Sequence, residues 1–156
     1  MKSFEFSLNR IRNYKSQVLD KEKKTLGLLQ RKRDEILEKI DNNTDYRLDK
    51  AAELSKKQCE GLSMTEISAY NYLIENARIQ AELLQVQLLR AEEEFEAQRQ
   101  IVLGVYQEKT GMDKLEEKQA EEYRLLEAKA TENEIMQVVS TQMADKSKNG
   151  IDSDIA

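Results

Sequence analysis

Residues 67–105 read ISAYNYLIENARIQAELLQVQLLRAEEEFEAQRQIVLGV. Within them Ile67, Tyr70, Ile74, Ala77, Ala81, Leu84, Leu88, Ala91, Phe95, Gln98, Val102 and Val105 recur in alternating steps of three and four, and only Gln98 is polar. That spacing keeps one stripe on one side of a helix, and its regularity is that of a coiled-coil seam. The phase runs on through Lys109, Met112, Glu116, Gln119, Tyr123, Leu126 and Ala130. Because it survives Gly111, the reading is one continuous helix over about 64–143, although each internal glycine weakens a helix by ~1 kcal/mol relative to alanine.

Upstream of this stretch, Leu62-Ser63-Met64-Thr65-Glu66-Ile67 carries a start signal. Ser63 is placed to cap, Glu66 stands three residues on, and Leu62 and Ile67 have hydrophobic-staple spacing. Gly61 gives the permissive backbone a turn needs, so the connection is placed at about 58–63. Before it, a second stripe runs Leu8, Ile11, Lys15, Leu19, Glu22, Leu26, Leu29, Arg33, Ile36, Ile40, with one extra step of four that acts as a stutter. This predicts a first helix over about 3–57, with a seam that fades across Asp41–Asp45.

The expected fold is all-α: a long antiparallel two-helix coiled-coil hairpin whose second helix is the longer. Residues 1–144 form one hairpin domain, and residues 145–156 a disordered polar tail. With the turn near residue 60, residue i faces about 120−i, which puts Phe4 opposite Glu116. The apolar seam consists of Leu8, Ile11, Leu19, Leu26, Leu29, Ile36 and Ile40 against Ile67, Ile74, Leu84, Leu88, Phe95, Val102 and Val105.

Composition narrows the chemistry. The 156 residues include no proline, histidine or tryptophan and one cysteine, Cys59, so imidazole catalysis, internal disulfides and thiolate zinc clusters are excluded. Charged residues reach 35% and aromatics only 6%, which suits helices better than a broad core. No cofactor, metal or catalytic group is expected; the acidic runs Glu92-Glu93-Glu94 and Glu116-Glu117 read as solvated helix faces. The start, MKSFEFSLNR, has no apolar h-region, so a cleaved signal is not expected, and no apolar run has membrane-spanning length.

Charge is polarised along the chain. Residues 1–33 hold ten basic and three acidic side chains, and residues 63–156 ten basic and nineteen acidic. Net charge is −5, and Tyr14 is the single aromatic among the basic residues of 10–33, so nucleic acid is not an expected partner. Small-molecule substrates are not expected either.

Binding residues must then lie outside the seam. Tyr72, Ile79 and Val86 recur every seven residues on the outward face of the second helix, with Leu83 and Leu89 beside them. An apolar outward line of that length marks a contact surface, for a partner or for a second copy. Tyr46, near the turn on the opposite arm, is assigned to the same patch. A further apolar cluster, Ile135, Met136, Val138, Val139 and Met143, lies beyond the reach of the first helix.

The opening residues carry a resemblance. Phe4-Glu5-Phe6-Ser7-Leu8, Ile11, Tyr14-Lys15, Leu19-Asp20-Lys21-Glu22-Lys23 and Leu26 resemble the N-terminal signature of the flagellar FliJ family. Ser63 through Leu73, with Tyr70 and Tyr72, is similar to the aromatic start of that family's second helix. The resemblance covers about residues 3–130. It implies a non-enzymatic, cytoplasmic component of the bacterial flagellar type III export apparatus, peripheral to the membrane through other proteins. It also implies a stalk between the export ATPase ring and the export-gate membrane protein FlhA, with a part in handling export chaperones. The gate contacts would be Tyr46, Tyr70, Tyr72 and Leu73; Leu8, Ile11 and residues 105–112 would approach the ring. The alternatives are a general scaffold or holdase working through the Tyr72–Val86 line, or the equivalent stalk of a virulence-type secretion system.

Overall fold

The computed structural model describes residues 2–154, with side chains of residues 2–150. Two helices make up almost all of it: α1, Asn9–Glu60, and α2, Met64–Asp154. Among the described residues there is no strand. The chain is all-α and its two long helices pack together. Two compact units can be distinguished, Ser16–Tyr106 and Met1–Lys15 with Gln107–Ala156.

The Ser16–Tyr106 unit is an antiparallel hairpin. Gly61 turns the chain at a φ of 98°, in the left-handed region that glycine enters without steric penalty. Ser63 then caps α2: its Oγ accepts from the Glu66 amide at 3.3 Å, and its carbonyl accepts from the Ile67 amide at 3.1 Å. The connection is residues 61–63, shorter than the six residues expected, because α1 stays helical through Glu60. Helix also persists through Asp41–Asp45. Asn43 explains how: its Nδ2 donates to the Ala77 carbonyl at 3.0 Å across the seam, while the Thr44 hydroxyl bonds back to Ile40.

Leu19, Ile36, Ala77 and Ala91 are buried, and Leu26, Leu29, Ile40, Ile67, Ile74, Leu84, Leu88, Phe95, Val102 and Val105 are half-buried. The seam is narrow and partly polar. Gln98, the polar step in the heptad, is buried and donates through Nε2 to the Glu22 carbonyl at 3.1 Å and to the Glu22 carboxylate. The Arg33 guanidinium lies 4.5 Å from the Phe95 ring centre, filling a seam position with a flat cation over an aromatic face. Glu22 meeting Gln98, and Asn43 meeting Ala77, pair as the expected register requires.

The unit of residues 2–15 and 107–154 departs from the expected helix start. Residues 2–6 are not helical; α1 begins only at Asn9, with the first helical bond from the Arg12 amide to the Leu8 carbonyl. Phe4 and Phe6 alternate with polar neighbours, the period of an extended segment. Phe6 is buried, and Phe4 stacks on Tyr123 with ring centroids 5.7 Å apart. The Tyr123 hydroxyl donates to the Lys2 carbonyl. Phe4 therefore meets Tyr123 rather than Glu116. Extended backbone advances ~3.3 Å per residue against 1.5 Å in a helix, so these few residues reach further along α2.

Ile11, expected in the seam, is 47% exposed. Arg12 takes its place, ion-paired with Glu116 and lying 5.6 Å from the Phe6 ring centre, while Lys15 pairs with Glu108. The covered seam positions then run 8, 12, 15, 19 and 22, an even heptad, and no stutter is needed. A charged side chain serves here because its aliphatic stem covers the seam while its head reaches a carboxylate.

α2 crosses Gly111 without a break, and half-buried residues keep the heptad phase as far as Tyr123. Residues 131–150 are all exposed. Residues 145–154, expected as disordered tail, continue α2, where no proline stops the helix. Residues 155 and 156 lie outside the described residues.

Candidate docking surface

The outward face of α2 in the Ser16–Tyr106 unit carries a line of uncovered apolar side chains. Tyr72 is 71% exposed, and Ile79, Leu83, Val86 and Leu89 are each about half exposed or more. They follow from the heptad itself: with seam residues at 67, 70, 74 and 77, positions 72, 79 and 86 fall on the opposite side of the helix. Burying a leucine- or valine-sized side chain is worth ~1.5–3 kcal/mol, so this line holds binding free energy that the hairpin leaves unused.

The residues assigned to one patch separate in the structure. Tyr70 belongs to the seam: half-buried, it donates its hydroxyl to the Glu53 carboxylate at 3.3 Å, and Lys57 Nζ sits 5.2 Å from its ring centre. That contact raises the Lys57 pKa, chiefly through its hydrogen bond with Tyr70. Leu73, at 38% exposure, flanks the seam beside the outward line. Tyr46 is on α1, 40% exposed, with Lys50 Nζ 5.6 Å from its ring centre.

Charge frames the line on one edge. Arg78 forms ion pairs with Glu75 and Glu82, each at 2.5 Å. The hydrogen bond from Arg78 holds the Glu75 carboxyl below its usual pKa, and the guanidinium pKa is raised in turn, first by its hydrogen bond with Glu75. Further along, Arg99 does the same to Glu96, aided by a bond from Gln100.

One feature of this unit has no counterpart among the residues singled out by sequence. Thr44, Arg47, Leu48, Ala51, Ile74 and Arg78 line an open groove of about 400 Å³ near the turn. Leu48 is 64% exposed on its rim, and Arg47 Nε is buried without a hydrogen-bond partner. The signal was available: Leu48 is apolar yet stands one residue off the seam phase. Cys59 is exposed on the last turn of α1. Among the described residues no acidic or thiol groups converge as a metal site, and no helix is long and apolar enough to cross a membrane.

These features define a class: an all-α coiled-coil protein whose working parts are exposed helix faces. Comparison with known families gives the particular assignment. The family model described as the flagellar FliJ protein matches residues 4–135, well over half of the chain, and the chain belongs to the flagellar FliJ family. It is accordingly a component of the flagellar export apparatus and serves protein transport in association with that machinery. The family is a structural and export component rather than a known enzyme. Neither a search of curated proteins nor one of solved structures returned a match.

Proposed function

We propose that this protein is a non-enzymatic stalk of the flagellar type III export apparatus, coupling the export ATPase ring to the export gate FlhA and assisting export chaperones. It works in the cytoplasm and reaches the membrane only through its partner proteins. The observation that supports this reading is the outward line Tyr72, Ile79, Val86 on the Ser16–Tyr106 hairpin of a chain whose residues 4–135 match the family. A hairpin that needed only itself would place polar residues at these positions. Leu73 and Leu83 extend the same contact, Tyr46 on α1 offers a separate one, and Tyr70 supports the line from the seam. The Phe4–Phe6 segment and the start of α1 form the ring-facing end.

Two measurements test it. The full chain should co-purify with the export ATPase and bind the cytoplasmic part of FlhA. Ile79→Glu with Val86→Glu should weaken FlhA binding by at least about tenfold, since two apolar anchors contribute ~1.5–3 kcal/mol each, and leave helix content unchanged. Unchanged FlhA binding in that variant overturns the assignment of this face. A chain indifferent to both partners overturns the stalk.

A further inference from the structure

The outward face of α1 in the Ser16–Tyr106 unit is divided by charge. Opposite its seam, at heptad spacing, stand first Lys21, Lys24 and Arg31, then Glu35, Glu38 and Asp45. All six are exposed. None takes part in an ion pair, whereas cations nearer the seam are used: Lys32 pairs with Glu94 at 3.1 Å, and Arg33 covers Phe95. The complementary acidic surface of α2 thus leaves this face unneutralised. Both signs occur on one line of one helix: past Asp20, which stands beside it, the line is cationic as far as Arg31 and acidic from Asp34 and Glu35 onward.

We infer that this face docks a second copy of the chain, α1 against α1 in antiparallel alignment, with the two-fold axis at the change of sign. The argument is self-complementarity. Rotation about that axis sets Arg31 opposite Glu35 of the second copy and Lys21 opposite Asp45, and each pair occurs twice, as an isologous contact demands. A parallel alignment would set like charges together. Leu28, 63% exposed in the middle of the cationic half, adds apolar area against the stem of Glu38. The contact is ionic and exposed, so it is weak and governed by salt, in contrast to a coiled-coil seam. It leaves the outward line of α2 open, because that line faces away from α1. A failure here and a failure of the FlhA contact are therefore distinguishable.

The test uses the full chain in two charge-reversed forms. One, Lys21→Glu/Lys24→Glu/Arg31→Glu, has an all-acidic line; the other, Glu35→Lys/Glu38→Lys/Asp45→Lys, an all-basic one. Circular dichroism confirms that each retains its helix. By analytical ultracentrifugation at high micromolar concentration, the wild type self-associates at about 20 mM salt and separates at about 300 mM, where the screening length is roughly a quarter as long. Each variant alone associates about tenfold more weakly or worse, since several attractive pairs become repulsions. Mixed together, the two form a heterodimer at salt where the wild type has separated. Self-association of the all-acidic form equal to the wild type, or a mixture that stays monomeric, overturns the proposal.

Discussion

Residues 67–105 and residues 131–150 belong to the same helix and are both rich in exposed apolar side chains, but the two stretches are stabilised differently. In the first, a heptad seam is covered by α1, and Tyr72, Ile79 and Val86 are additional to it. In the second, the seam positions have passed to Asn133, Gln137 and Ser140, and the apolar residues Ile135, Met136 and Val139 have moved to another face. Helicity there rests on propensity, whereas residues 67–105 gain theirs from packing. An exposed apolar side chain thus means different things in each: over 67–105 it can be removed without loss of fold, while over 131–150 the fold was never built on it.

The largest expected effect lies in the covered seam. Leu19 is 3% exposed, and Leu19→Ala should destabilise the protein by about 2–4 kcal/mol, from lost transfer free energy plus a cavity on a seam with few alternatives. Val139→Ala, 44% exposed at the start, should change stability by no more than about 0.5 kcal/mol. Urea titrations of the two variants compare the seam that α1 and residues 67–105 share with the uncovered stretch 131–150; similar losses would erase the distinction. A smaller effect of opposite sign is expected at Gly104, where an added Cβ meets nothing within 4 Å. Gly104→Ala should stabilise by about 0.5–1 kcal/mol, read as a higher midpoint, because helix is already formed there and alanine only lowers the entropy lost on folding.

Periodicity made the longer helix legible, since nearly every seam position of α2 is apolar. It was weaker for α1, where the seam uses Arg12, Lys15, Glu22, Arg33, Asn43 and Arg47. A rule that reads only apolar residues picks Ile11 over its neighbour Arg12, although the arginine has a carboxylate and an aromatic ring to meet. The extended Phe4–Phe6 segment was missed for a related reason: helix signals downstream outweighed a period-two alternation only three residues long. The outward line of α2 was visible because apolar residues there repeat at seven, a spacing no seam requirement explains. The Leu48 groove was not, because it takes residues from both helices and appears only once their register is set.

The smallest effect concerns acid. Along residues 67–105, Glu75 and Glu96 have pKa values below the ordinary carboxylate value, mainly through hydrogen bonds from Arg78 and Arg99. A carboxyl whose folded pKa is lowered stabilises the folded state above its unfolded pKa, and that contribution is lost as pH falls through the lowered value. Both groups are exposed, so water and salt screen the effect. Thermal melts of the wild type and of Arg78→Gln/Arg99→Gln should therefore differ most near neutral pH and converge at pH values below both carboxyl pKa values. The gap should shrink in high salt. A gap that stayed equally wide at low pH would mean that the substitutions act through helix propensity rather than through these hydrogen-bonded pairs.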